Sequence, residues 1–199
     1  MQIKRLLLFS IFAVIFSACN AQVKNKTMAK DQTQELDMSK YKTAVYASGC
    51  FWGTEFYLQK TEGVISTTVG YTGGHVDNPT YEQVCGKKTG HYEAVEVVYD
   101  PAVISYEQLT KIFFETHNPE QANGQGPDIG PQYRSAIFVT DDAEKATANK
   151  LIAILEAKGY KIATVVLPAA KFWPAELYHQ DYYDNKGGTP YCHAYTKRF

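Results

Sequence analysis

The sequence predicts an α/β (α+β) fold: a two-layer sandwich of one sheet and its covering helices, followed by a long irregular C-terminal tail. Three observations carry this. Short runs rich in β-branched and aromatic residues alternate with stretches of helical period. Gly, Pro, Asn and Asp cluster between those runs, where the chain must turn. The 199 residues, 45% hydrophobic and 21% charged, suit one globular domain of ~150–160 residues plus an appendage. A domain of that size buries roughly 70% of its unfolded surface, so it needs neither disulfide nor metal to fold.

The globular part begins near Tyr41. Thr43 to Ala47 reads as a strand stopped by Ser48-Gly49, and a helix follows from Phe51 or Trp52 to about Lys60, with Gly63 past its end. Val64 to Tyr71 is a β-branched run, and Gly73-Gly74 and Asn78-Pro79 mark a long loop. His91 to Tyr99 reads as a strand closed by Asp100-Pro101. Ser105 and Gln108 form a capping box for a helix through about Glu115. Residues 118–131 hold Gly124, Gly126, Gly130, Pro119, Pro127 and Pro131, the composition of a functional loop or lid. Ala136 to Val139 is a strand. Asp141 or Asp142 caps a helix whose Ala148, Leu151, Ile152 and Leu155 form one stripe, ended by Gly159. Ala163 to Leu167 is a last strand, and a short helix is expected near Ala175–Asp184 before Gly187-Gly188 and Pro190.

The first residues do not belong to this fold. Lys4 and Arg5 precede an apolar run from Leu6 to Phe16, and Ser17 and Ala18 follow. This is the plan of a secretory signal, and the run is too short for a stable membrane span. Phe16-Ser17-Ala18-Cys19 resembles the lipobox of bacterial lipoproteins, with Phe16 where Leu is common. That resemblance implies a signal peptide over residues 1–18, an acylated Cys19, and a protein lipid-anchored to a membrane of the bacterial cell envelope, facing the periplasm or exterior. A plain signal peptide cut near Ala18 or Ala21 is the alternative. Residues 19–39 are polar and lack any apolar period, so they read as a flexible tether spanning about 25 Å as a coil. The domain takes residues 40–199. Removal of the two cations Lys4 and Arg5 takes the formal net charge from −1 to −3. The absence of a basic stripe argues against nucleic acid as the main partner.

The four cysteines are Cys19, Cys50, Cys85 and Cys192, and no pair has CxxC spacing. That speaks against zinc and against a thioredoxin-type dithiol, and the five histidines show no metal-binding pattern either. Cys50 falls in Gly49-Cys50-Phe51-Trp52-Gly53, between a strand and the first turn of a helix. Free N–H groups at a helix start favour a thiolate. Phe51 and Trp52 add aromatic faces beside the sulfur. In the strand His91–Tyr99, alternation puts Glu93 on one face with Val95 and Val97, and Glu96 on the other with Ala94 and Val98. Periodicity alone does not select which carboxylate is inside.

The string Gly49-Cys50-Phe51-Trp52-Gly53 resembles the signature of type A methionine sulfoxide reductases. The likeness continues in order through Gly70-Tyr71-Thr72-Gly73-Gly74, Asn78-Pro79-Thr80-Tyr81, Thr89-Gly90-His91-Tyr92-Glu93, Tyr99-Asp100-Pro101, Gln125-Gly126-Pro127-Asp128, Gln132-Tyr133-Arg134-Ser135 and Ala175-Glu176-Leu177-Tyr178-His179-Gln180. The resemblance implies a ferredoxin-like core and reduction of methionine (S)-sulfoxide, in proteins or free, as protein repair under oxidative stress. It implies Cys50 as nucleophile, Glu93 as acid and Cys192 as resolving thiol. Tyr81 and Tyr133 would hydrogen-bond the sulfoxide oxygen, with Asp128 organising the site through water. Phe51, Trp52 and Tyr133 would wall the methyl group. Cys85 is expected as a buried structural thiol. No cofactor or metal is implied; thioredoxin or a thioredoxin-like dithiol would recycle the disulfide, and a monomer suffices. Tyr92, Pro127, Pro131 and the Gly187-Gly188-Thr189-Pro190 stretch depart from the family's usual residues. Two other readings use the same residues: a thiol peroxidase acting through Cys50 and Cys192, and a non-catalytic lipoprotein binding partners through a surface rich in its 15 tyrosines.

Overall fold

The computed structural model describes residues 38–199, so the signal peptide, Cys19 and nearly all of the tether lie outside the described residues. After a short 3-10 turn, the chain runs through β1 (Lys42–Ser48), α1 (Phe51–Leu58), β2 (Val64–Thr72), α2 (Tyr81–Cys85), β3 (Tyr92–Tyr99) and α3 (Tyr106–Glu115). A small hairpin, β4 (Gly124–Gln125) and β5 (Asp128–Ile129), precedes β6 (Ser135–Val139) and α4 (Asp142–Ala157). Then come β7 (Val165–Pro168), β8 (Trp173–Pro174) and α5 (Tyr182–Lys186).

The main sheet has the order β7-β6-β1-β3-β2-β8. Its inner four strands, β6-β1-β3-β2, are antiparallel neighbours throughout. They arise from the chain order β1-α1-β2-β3-α3-β6, which is the split βαβ arrangement of a ferredoxin-like core. The sheet extends by β7, parallel to β6 after the α4 crossover, and by β8, antiparallel to β2. Alternation along the strands divides the interior. Ala44, Tyr46, Val69, Tyr71, Val95, Val97 and Ile137 pack with Leu58 of α1, Leu109 and Phe113 of α3, and Leu151 and Leu155 of α4. Ala47, Tyr92, Ala94, Ala136 and Phe138 form a smaller cluster, covered by Val45, Leu167 and Phe172. Tyr92 sits edge-on to Phe138 there, with ring centroids 5.6 Å apart, so its bulk is absorbed away from the helices.

Three expectations are corrected. The loop after Gly73-Gly74 contains α2, held by a capping box in which Thr80 and Gln83 exchange side-chain and backbone bonds. Strand β7 begins two residues later than expected, because Ala163 N–H bonds Pro119 C=O and the Thr164 hydroxyl bonds Ser135 Oγ. The helix expected over Ala175–Asp184 does not form. Glu176 is extended and Asp181 is left-handed at φ 52°, leaving a 3-10 turn, Leu177–His179, and then α5. The cause is the edge of β2. Gln180 Oε1 accepts the Val69 N–H at 2.9 Å, and its Nε2 donates to the Val69 and Ala175 carbonyls at 3.0 and 2.9 Å. One side chain thus stands in for a neighbouring strand, and a regular helix would draw it away.

Candidate active site

Cys50 is the N-cap of α1 and is buried. Its carbonyl accepts the Gly53 and Thr54 N–H groups at 3.1 and 3.3 Å. The flanking glycines admit close neighbours. A Cβ on Gly49, which sits at φ 106°, would lie 2.4 Å from Gln125 Cβ, and one on Gly53 would lie 2.2 Å from His193 Nδ1. Gln125 is itself locked by two bonds to the Asn118 backbone, at 3.2 and 3.1 Å. The activation expected from the helix start is present, since the Trp52 and Gly53 N–H groups favour a Cys50 thiolate. It is outweighed in this conformation. The adjoining Cys192 thiol, then burial, push the Cys50 thiol well above its ordinary range.

Glu93 is the second residue of β3, at the same end of the sheet, and is 1% exposed. The Phe51 N–H donates to its Oε2 at 3.1 Å, while its Oε1 is buried without a hydrogen-bond partner. Burial, followed by the charge of Cys50, drives this carboxyl well above the usual carboxylate range. Two negative charges side by side oppose each other, so thiol and carboxyl together retain a proton. Glu96 stands half-buried with no comparable contacts.

Around this pair the tyrosines converge. Tyr81, from the first turn of α2, and Tyr133, from the turn before β6, are half-buried and feel the Glu93 charge. Burial raises both phenols, keeping them as neutral donors. Phe51 is fully buried, with ring centroids 5.9 Å from Tyr71 and 5.0 Å from His179. Trp52 stacks on Tyr182 at 3.7 Å and donates from its indole N–H to His179 Nδ1 at 3.2 Å. Asp128 on β5 accepts directly from the Tyr191 hydroxyl at 3.2 Å. Cys85 is half-buried rather than buried, and burial raises its thiol while the Tyr81 hydroxyl beside it lowers it.

The C-terminal tail brings Cys192 to Cys50. Both are free thiols. Past Cys192 the tail is fastened to the end of α3. Glu115 Oε1 accepts the Arg198 and Phe199 N–H groups at 2.9 and 3.1 Å, its Oε2 takes the Tyr195 hydroxyl at 3.2 Å, and its carbonyl takes the Thr196 N–H at 2.7 Å.

All of Cys50, Phe51, Trp52, Tyr81, Glu93, Asp128, Tyr133 and Cys192 therefore gather at one end of the sheet. The sequence missed Glu176, His179, Tyr191 and His193. Glu176 joins Tyr71 and the Tyr81 N–H, at 2.9 and 3.0 Å, and so fixes α2 against β2. Its signal was the Ala175-Glu176-Leu177-Tyr178-His179-Gln180 string, whose residues carried no roles.

A cysteine at a helix start beside a buried carboxyl and a second thiol is suited to reduce a polar S–O bond and then close a disulfide. Residues 42–199 match the family model described as peptide methionine sulfoxide reductase. This chain belongs to that family. The curated methionine sulfoxide reductases of the MsrA type agree. That of Streptomyces griseus is 53% identical over 157 residues, 75% of this chain and 70% of the relative. That of Pasteurella multocida is 49% identical over 150 residues, 75% and 86% respectively. Among solved structures, reduced Mxr1 from Saccharomyces cerevisiae superposes with a TM-score of 0.75 at 37% identity, covering 84% of this reductase and 98% of that chain. Methionine sulfoxide reductase A of Corynebacterium diphtheriae gives 0.67 at 35% identity, covering 76% and 79%. Mxr1 has also been solved in complex with Trx2, at a TM-score of 0.55 and 30% identity over 82% of this chain and 96% of that one. The reductase is a type A thiol oxidoreductase, and the strand order of its own sheet is that of a ferredoxin-like core.

Proposed function

We propose that this reductase returns methionine (S)-sulfoxide to methionine at Cys50, with Glu93 as the proton donor and Cys192 as the resolving thiol. The carrying observation is Glu93: a buried carboxyl beside the nucleophile, with one oxygen held by the Phe51 N–H and the other free of any partner. That free oxygen is where a sulfoxide oxygen gains a hydrogen bond. The Cys50 thiolate attacks the sulfoxide sulfur, and Glu93 protonates the oxygen. The hydroxyl then passes to Cys50 as the methionine S–O bond and the transient Cys50–methionine S–S bond break, so methionine leaves with the electron pair of its sulfur and Cys50 keeps the oxygen as a sulfenic acid. Tyr81 and Tyr133 donate to the oxygen, while Phe51, Trp52 and Tyr133 enclose the methyl group. Asp128 acts through the tail, since it holds Tyr191 next to Cys192.

The docked tail covers Cys50 and holds its thiol protonated. Substrate entry therefore requires Cys192 to lift, which removes the largest influence raising the Cys50 thiol and leaves the Trp52 and Gly53 N–H groups to stabilise the thiolate. The tail then returns, and Cys192 closes the disulfide with loss of water. Reductant is a thioredoxin-like dithiol, a reading supported by the Trx2 complex of Mxr1. We further propose repair of oxidised envelope proteins by a molecule anchored through acylated Cys19.

The test is epimer-resolved reduction of a methionine sulfoxide peptide by the purified chain in detergent, with dithiothreitol as reductant. Only the S epimer should disappear, and Cys50→Ser should abolish its loss. Consumption of both epimers, or activity without Cys50, would refute the assignment.

A further inference from the structure

His193, the tail residue after Cys192, is 5% exposed. Its Nδ1 is 3.1 Å from Cys192 Sγ. Its Nε2 faces the hydroxyls of Ser48 and Thr54 at 3.5 and 3.4 Å, and those hydroxyls bond each other at 2.7 Å. The Thr54 hydroxyl also reaches the Cys50 carbonyl at 3.4 Å. Gly53, in the nucleophile's own helix turn, has no room for a side chain because the imidazole fills that space. The backbone next to Cys50 is thus cut away for a ring with both nitrogens committed, one to hydroxyls and one to the second thiol.

We infer that His193 is a catalytic residue of the second half-reaction, whose Nδ1 takes the proton of Cys192 as that sulfur attacks oxidised Cys50. This rests on Cys192 being the resolving thiol. With Nε2–H turned to the hydroxyl pair, the tautomer leaves the Nδ1 lone pair for the thiol. The Cys192–Cys50 S–S bond forms and the Cys50 S–O bond breaks. The departing hydroxide recovers the proton from Nδ1 and leaves as water. Cys50 is reduced from sulfenic acid to disulfide, and Cys192 is oxidised from thiol to disulfide. Burial pushes the ring down to about 4, so its lone pair is available throughout the neutral range. The titratable groups facing the ring are Cys192, in contact, Asp128 from β5 and His117 beyond α3. Asp128 favours the protonated ring and partly offsets the burial that disfavours it.

The decisive variant is His193→Asn, whose side-chain oxygen can occupy the Nδ1 position but cannot carry a proton. The reduced full chain is mixed with methionine sulfoxide without external reductant, and released methionine and lost thiol are followed separately. Methionine release should persist. Disulfide formation at pH 7 should slow ~100-fold or more. Its rate should rise about tenfold per pH unit as solvent takes over deprotonation, where the natural protein is flat. A disulfide rate equal to the natural one, or a loss that is the same at every pH, overturns the proposal. A solvent deuterium isotope effect on disulfide formation in the unmodified protein supplies a check independent of any variant's fold, and its absence counts against a proton in flight. Peptide mapping separates the two levels. If the bridge joins Cys50 to a cysteine other than Cys192, both the resolving role and this proposal fall. If it joins Cys50 to Cys192 and His193→Asn is unaffected, only this proposal falls.

Discussion

At Glu93, the proposed proton donor, the environment of one carboxyl decides the chemistry. A solvent-facing glutamate is ionised at neutral pH and has no proton to give. Burial and the neighbouring Cys50 raise this one, so the donor form is present below the raised pKa and is lost as pH rises through it. Single-turnover methionine release should therefore fall on the alkaline side. Glu93→Gln should cost ~10²–10⁴-fold and remove that limb, as a stopped pH series would show. The residue itself was not selectable by alternation. Tyr92 and Ala94 on one face, and Glu93, Val95 and Val97 on the other, are all buried. Where both faces of a strand are covered, period two no longer separates inside from outside. His193 was illegible for a different reason: its partners, Ser48, Thr54 and Gly53, meet it only once the tail has folded back.

Among the elements, those with a repeated local signal were read best. The Ser105–Gln108 capping box marked α3, and its full extent is Tyr106–Glu115 as expected. The same signal at Thr80–Gln83 went unread because α2 spans only Tyr81–Cys85, too short to show an apolar period. The segment Ala175–Asp184 has helix-forming composition, but long-range bonds override it, as Glu176 is pulled to Tyr71 and Gln180 to Val69. Gln180 makes three bonds to the β2 edge and the β8 exit that no residue of another shape reproduces. Gln180→Ala should lower stability by about 1–3 kcal/mol in denaturant titration. It should also loosen α5 from Trp52, visible as a red shift in tryptophan fluorescence. An unchanged unfolding midpoint would show that the β2 edge does not depend on this side chain.

On the scale of the whole molecule, the domain holds its chemistry at one end of the sheet, and the lipid anchor proposed at Cys19 lies ahead of β1. In that proposal, several acyl chains at Cys19, each buried CH₂ contributing about 0.8 kcal/mol, would keep the reductase on a membrane. Cys19→Ala should move the protein from the detergent-extracted to the soluble fraction with its turnover number intact; persistent membrane association would exclude the lipid anchor. The start of the folded part near Tyr41 was legible, because the polar stretch before it gives way to the β-branched and aromatic residues of β1. The tail's destination was not, because Glu115 recruits it from more than half the domain away in sequence. That clamp has a kinetic meaning. With chain fixed to the protein on both sides of Cys192, the second thiol meets Cys50 at an effective concentration of millimolar order or more. A bystander thiol at micromolar level loses that competition by about a thousandfold, and so does a second equivalent of oxidant. In the proposed cycle, the dithiol that recycles this reductase accordingly encounters a closed ring rather than a reactive sulfenic acid.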